Sequence, residues 1–305
     1  MRLVSYGPPA KERCGLQRGD RIIDLNRASL SLFPEPLPWS MIEFLGLDNW
    51  HEMARKVSEA ANLLEEKAFI SLSEVRLGAP VPRPSKIIAL GANYREHVEE
   101  MRANVELPKR PILFSKASSS AVGPHDDVLY PPETHSLDYE VELAVVIGKR
   151  ACRVKAEQAY DYIAGYMVLN DVSARDIQLG GEGKLGSQWF HGKSFDTFAP
   201  MGPFLTTLDE VGDPHSLRIW LAVNGEIRQD SSTSQLHFKI PEIIAFISHG
   251  ITLFPGDVIS TGTPSGVGIA SNPPRLLQVG DVMVAEVEKL GALKNRVTSG
   301  MQGVL

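Results

Sequence analysis

The stretch SLDYEVELAVVIGKR, residues 136–150, sets two glutamates, Glu140 and Glu142, into an otherwise apolar run. On a β-strand the i, i+2 spacing puts both side chains on one face, about 7 Å apart along the chain. Like charges that close repel, and burial adds a desolvation cost unless a counter-charge is supplied. The pair therefore implies either a solvated strand face or a cation. A third carboxylate, Asp171, ends the apolar run YIAGYMVLND and opens VSARDIQ. Standing alone it reads as a helix N-cap. Taken together, three hard oxygen ligands from two strands suit Mg²⁺, Mn²⁺ or Ca²⁺, with water or substrate completing the shell. Zinc fits less well, because neither a cysteine nor a histidine cluster accompanies them.

His97 and Glu100, in NYREHVEEM, form a second group. Their i, i+3 spacing places them on one helix face within contact range. A carboxylate beside an imidazole orients it and raises its basicity, which makes a base able to activate water. The plainer alternative is an exposed pair on a charged helix. Glu96 and Glu99 read as cap and solvent face.

These residues need elements to position them. Residues 1–75 read as a small N-terminal α/β module, with strands at RLVSYG and DRIIDL. Trp50, Met53, Val57, Ala61 and Leu64 recur at helical spacing. LGAPVPRPS, with three prolines in nine residues, reads as a linker. The main body, 76–305, opens with the strand KIIALG, followed by a helix for which Asn93 is the expected N-cap. RANVELPKRP then reads as a mobile connection. Beyond residue 110 strands dominate, including a hairpin about Asn224-Gly225, and one helix is expected over 240–249. The fold class is α+β and β-rich, without the regular βαβ rhythm of a doubly wound sheet.

Composition excludes several functions. The 305 residues suffice for a sizeable core, and 43% apolar with 22% charged residues is ordinary for a soluble chain. A net charge of −6 and the lack of basic runs interleaved with aromatics speak against nucleic acid. Cys14 and Cys152 form no CxxC pattern, which fits a reducing compartment. No signal-peptide core opens the chain, and no apolar run approaches a membrane span. The chain reads as cytoplasmic. Gly192-Lys193-Ser194 ends like a P-loop, but Ser187 stands where that motif needs glycine.

The segments IIALGANYREHVEEM, LDYEVELAVVIGK, GYMVLNDVSARDIQ, FHGKSFDTFAPMGP and STGTPSGVG occur in this order over residues 84–300. Together they resemble the fumarylacetoacetate hydrolase family, in its shorter form with a small N-terminal domain. The resemblance implies a mixed β-roll, usually homodimeric. It assigns Mg²⁺ or Mn²⁺ to Glu140, Glu142 and Asp171, and an H-x-x-E dyad on a lid helix to His97 and Glu100. It makes Lys193 the active-site lysine, and it places Arg175, Gln178 and Thr263 on the substrate.

The implied reaction is metal-dependent hydrolysis of a C–C bond in a 2,4-dioxo acid such as an acylpyruvate. The metal would hold the enolate, Lys193 would meet developing negative charge, and His97 would activate water. The alternative is a 2-oxo acid decarboxylase or an enol–keto isomerase, which shares the metal–enolate step but needs no water. The partner expected is a small 2-oxo or 2,4-dioxo acid, with neither nucleic acid nor membrane involved.

Overall fold

A computed structural model describes residues 1–101, 106–180 and 187–300. Its centre is the antiparallel pair Val141–Ile147 and Ile163–Asn170. Every residue of both strands is buried. Leu143, Val145 and Ile147 enter one core, while Ala144 and Val146 enter another on the opposite face. A strand covered on both faces must be apolar throughout rather than alternating, which is why AVVI is unbroken.

Among the described residues these strands lie within one mixed sheet of eleven strands. Ile163–Asn170 pairs with Ala199–Thr206, which pairs in turn with Arg2–Tyr6. Val141–Ile147 pairs with Val258–Ser260, which runs parallel to Ile87–Gly91; Ile112–Lys116 closes that side. A five-stranded sheet covers the first core, built on the hairpin Arg218–Val223 and Glu226–Ser232. The turn at Asn224-Gly225 has φ of 52° and 82°, the left-handed pair expected of that dipeptide. The helix Ile240–Gly250 presents Ile243, Ile244 and Ile247 to the same core. The sheet-rich α+β class follows directly.

The N-terminal residues extend the large sheet rather than forming a layer of their own. Arg13–Arg18, Arg21–Asp24 and Phe69–Ser71 continue outward from Arg2–Tyr6. Leu3, Leu16, Ile23 and Phe44 share a core with Ala144, Met167 and Leu169. The proline-rich segment at 77–85 is no free tether either, since Leu77 to Val81 are all buried. The expected helix runs Trp50–Glu59 and then tightens into a 3₁₀ turn at Ala61–Leu63. The next expected helix runs Arg95–Met101, so Asn93 stands one residue short of its N-cap position. Its side chain instead binds Phe238 and Thr261 across the fold. Of the connection 102–111, residues 102–105 lie outside those described. Among the described residues no helix is long and apolar enough to cross a membrane.

Candidate metal centre and active site

Strand register assembles the acidic group. Val141 opposes Asn170, so Glu140 and Asp171 stand opposite one another just past the paired ends, and Asp171 N–H donates to Glu140 O at 2.8 Å. Glu140 falls in the short break between Leu137–Asp138 and Val141–Ile147, where Asn170 Oδ1 accepts from its N–H at 3.0 Å. Glu140, Glu142 and Asp171 each offer an oxygen within 4.8 Å of the others, and all three are buried. Burial rules out the solvated strand face. Asp171 caps no helix either; two lysines occupy its carboxylate.

Those lysines and one arginine supply the counter-charge. Lys193 Nζ lies 2.6 Å from Glu140 Oε2 and 2.7 Å from Asp171 Oδ2. Lys116 Nζ lies 2.5 Å from Asp171 Oδ1 and also donates to Val172 O and Lys193 O. Arg175 Nε donates to Asp138 Oδ2 at 2.8 Å and its Nη1 to Gln178 Oε1 at 3.0 Å. Arg175 Nη2 sits 2.7 Å from Glu140 Oε1, an ion contact rather than an aligned hydrogen bond.

Electrostatics separates the two glutamates. Burial opposes ionisation of Glu140, yet Lys193 and Arg175 outweigh it and hold this carboxyl well below its ordinary range. Among the described residues Glu142 has no ion pair, and Lys193 offsets its burial only weakly. Burial, joined by repulsion from Asp171 and Glu140, pushes it up to about 8. Ser260 Oγ, at 2.5 Å, and Gly262 N–H, at 2.7 Å, both donate to Oε2 of Glu142, which leaves Oε1 to face the other carboxylates. Oxygen donors, crowding and the repulsion that still raises Glu142 fit a hard divalent cation at Glu140, Glu142 and Asp171.

One loop, residues 260–269, ties this centre to the helix Arg95–Met101. Its Gly262 N–H holds Glu142, and its Gly268 and Ile269 N–H groups hold Asp138 at 2.7 and 3.1 Å. Its Gly266 N–H donates to Glu100 Oε2 at 2.8 Å. Glu100 Oε1 lies 2.8 Å from His97 Nδ1. Where Nδ1 donates to this carboxylate, a neutral ring keeps its lone pair on Nε2. Ser265 Oγ also donates to Glu96.

Of the residues anticipated on the substrate, Arg175 and Gln178 are bonded to each other beside Glu140. Thr263 Oγ1 donates to Val141 O at 2.9 Å and accepts from Gln229 Nε2 at 2.8 Å. Lys193 comes from the helix Trp189–Lys193, whose Gly192 packs so closely on Gln178 that a Cβ would meet its backbone N at 2.6 Å. Lys193 is one of three basic groups here. Lys116 and Arg175 join it. In sequence Lys116 is one lysine ending ILFSK, and only the pairing of Ile112–Lys116 with Ile87–Gly91 brings it inward.

The family description "fumarylacetoacetate (FAA) hydrolase C-terminal" matches residues 86–298. The chain belongs to the fumarylacetoacetate hydrolase family. It is 46% identical over 301 residues to the mitochondrial oxaloacetate tautomerase FAHD2A of Bos taurus, covering 97% of this chain and 91% of that relative. It is 43% identical over 286 residues to the oxaloacetate tautomerase YisK of Bacillus subtilis, covering 91% and 93%. Its fold is similar to a crystal structure of maleylpyruvate hydrolase from Sphingobium sp. SYK-6 in complex with manganese(II) and pyruvate. That match has a TM-score of 0.78 and 32% identity, and covers 99% of this chain and 100% of that one.

Proposed function

We propose that the protein is a divalent-metal-dependent enol–keto tautomerase of oxaloacetate or a similar 2-oxo dicarboxylic acid, using Mg²⁺ or Mn²⁺. The observation that carries this reading is a base paired with a carboxylate, His97 on Glu100, tied to a buried carboxylate triad by one loop, whose Gly262 N–H holds Glu142 and whose Gly266 N–H holds Glu100. Near-full-length similarity to two proteins named oxaloacetate tautomerases supports the substrate. Tautomerisation needs one base beside a polarised carbonyl and no water. When bound, the ion supplies Lewis acidity toward the adjacent oxygens of the 2-oxo acid.

The side chains divide the remaining work. His97 Nε2 takes the proton from C3 of the keto form and returns it in the reverse direction. The C3–H electron pair becomes the C2–C3 double bond, the C2=O π pair moves onto the oxygen, and that oxygen is protonated from solvent, to which His97 then releases the C3 proton. Lys193 keeps its own proton, because Asp171 and Glu140 raise its affinity for it against the effect of burial. Its ammonium therefore places positive charge where the oxygen develops negative charge. Glu100, held by Gly266, keeps the imidazole in the tautomer that leaves Nε2 basic.

A second reading, hydrolysis of a 2,4-dioxo acid, is favoured by the likeness to maleylpyruvate hydrolase and uses the same base on water. The deciding experiment follows the ultraviolet absorbance of enol-oxaloacetate as it converts to the keto form. With Mg²⁺ the protein should accelerate this conversion far above buffer, and EDTA should abolish the effect. Conversion no faster than buffer overturns the reading. Cleavage of acylpyruvates without any effect on oxaloacetate would favour the hydrolase, and release of CO₂ a decarboxylase.

A further inference from the structure

Seven charged side chains are packed together at this centre, each nine-tenths or more buried. Asp138, Glu140, Glu142 and Asp171 are the acids, and Arg175, Lys193 and Lys116 are the bases. With all of them ionised the cluster lacks one positive charge, and a divalent cation turns that deficit into an excess of one. Lys193 and Arg175 touch the carboxylates from the side that the helix Trp189–Lys193 and the segment Arg175–Gln178 provide. Lys116 approaches from the sheet edge and spends its three N–H groups on Asp171 Oδ1, Val172 O and Lys193 O. A lysine so saturated has no proton left with which to meet a substrate. Burial works against a charge on Lys116, but three acceptors around one nitrogen need three N–H groups, which only the ammonium has.

We infer that Lys116 is a positioning residue that sets the charge of the loaded centre, weakening metal binding so that a dianionic substrate is held more tightly. It shares Asp171 with the metal, so only one carboxylate separates its positive charge from the ion. That charge repels the cation when the site loads and attracts the 2-oxo dicarboxylate once it is loaded. A purely structural lysine would behave differently. Its loss would loosen Asp171, and both affinities would fall together. The substrate arm of this inference rests on the metal-bound 2-oxo acid reading, whereas the metal arm does not.

The test titrates Mn²⁺ into the full chain by electron paramagnetic resonance, then titrates oxalate, a stable dianion with adjacent oxygens, into the Mn²⁺ protein. Lys116→Gln and Lys116→Met should each bind Mn²⁺ roughly tenfold more tightly and oxalate roughly tenfold more weakly than the parent, as removal of one nearby buried charge implies. Weaker binding of both ligands overturns the inference, as does an unchanged affinity for either. A third arm needs no variant. The Mn²⁺-loaded parent should prefer oxalate over the monoanion oxamate by roughly tenfold, and equal affinities overturn the inference. Failure of the parent to bind Mn²⁺ removes the metal reading itself, whereas a parent that binds both ligands, with variants that shift in one direction, removes only the role of Lys116.

Discussion

Glu142 shows how a single side chain ties metal, proton and stability together. Burial, with Asp171 and Glu140 nearby, raises it from an ordinary 4.5 to about 8, so the metal-free protein carries a proton there at neutral pH. A divalent ion must displace that proton. Isothermal titration of Mg²⁺ at pH 7 in buffers of differing ionisation enthalpy should therefore register release of close to one proton, with apparent affinity rising toward pH 8. A raised carboxyl contributes stability that is complete below 4.5 and is lost as pH rises through about 8. Glu140, shifted the opposite way, has made its full contribution by 4.5, and His215, lowered by burial, opposes Glu142 only below its ordinary 6.5. The metal-free protein should accordingly melt at lower temperature at pH 8.5 than at pH 6.5, and excess Mg²⁺ should remove most of the difference. His97→Ala should slow tautomerisation by about 10², the usual worth of a general base, with Mn²⁺ affinity unchanged. The acids were legible in sequence because carboxylates inside apolar runs need an explanation, and the dyad because its i, i+3 spacing puts both side chains on one helix face. Lys116 and Ser260 were not, because a lone polar residue at a strand end looks like surface until its neighbours across the sheet are known.

At the scale of elements, the loop 260–269 decides whether the base helix docks. Gly266 has φ of 101°, and a Cβ there would lie 2.0 Å from Arg228 O. Gly266→Ala must move the loop and take its N–H away from Glu100, while Gly262 still holds Glu142 from four residues upstream. The expected result is a fall in activity of roughly tenfold or more, since the imidazole loses its orientation. Mn²⁺ affinity should be retained and amide exchange across 95–101 should quicken. Loss of metal binding in this variant would show that the loop acts on the triad and not on the dyad. The sequence showed a glycine-rich STGTPSGVG but not which carboxylate each amide would hold, because that depends on where three distant segments meet. The misread Asn93 has the same origin. An N-cap is judged from three or four neighbours, whereas Asn93 spends its amide on Phe238 and Thr261, more than 140 residues away in sequence.

At the scale of the whole molecule, the question is whether residues 1–75 can be parted from the rest. Composition suggested a separable module, since the proline-rich segment after it has the look of a tether. The sheet argues otherwise. Arg2–Tyr6 pairs with Ala199–Thr206, which in turn pairs with Ile163–Asn170, the strand that leads to Asp171. Met167, Leu169 and Met201 are buried against Leu3, Leu16 and Phe44. Arg76 fastens the junction by bonding Gly7 O, Glu12 and Asp126. Removing residues 1–75 would therefore leave an unpaired strand edge at 199–206 beside an uncovered apolar face, the combination that promotes aggregation. A chain of residues 76–305 should be insoluble, or soluble only as a state that binds a hydrophobic dye. The complete chain should unfold in one transition. Trp39 and Trp50 lie in the N-terminal part, and Trp189 and Trp220 in the remainder, so tryptophan fluorescence samples both. Its denaturant midpoint should coincide with that of far-ultraviolet circular dichroism, the mark of a single cooperative unit. Two separated transitions, or a soluble 76–305 chain that binds Mn²⁺ like the full protein, would show that the catalytic part folds without its N-terminal strands.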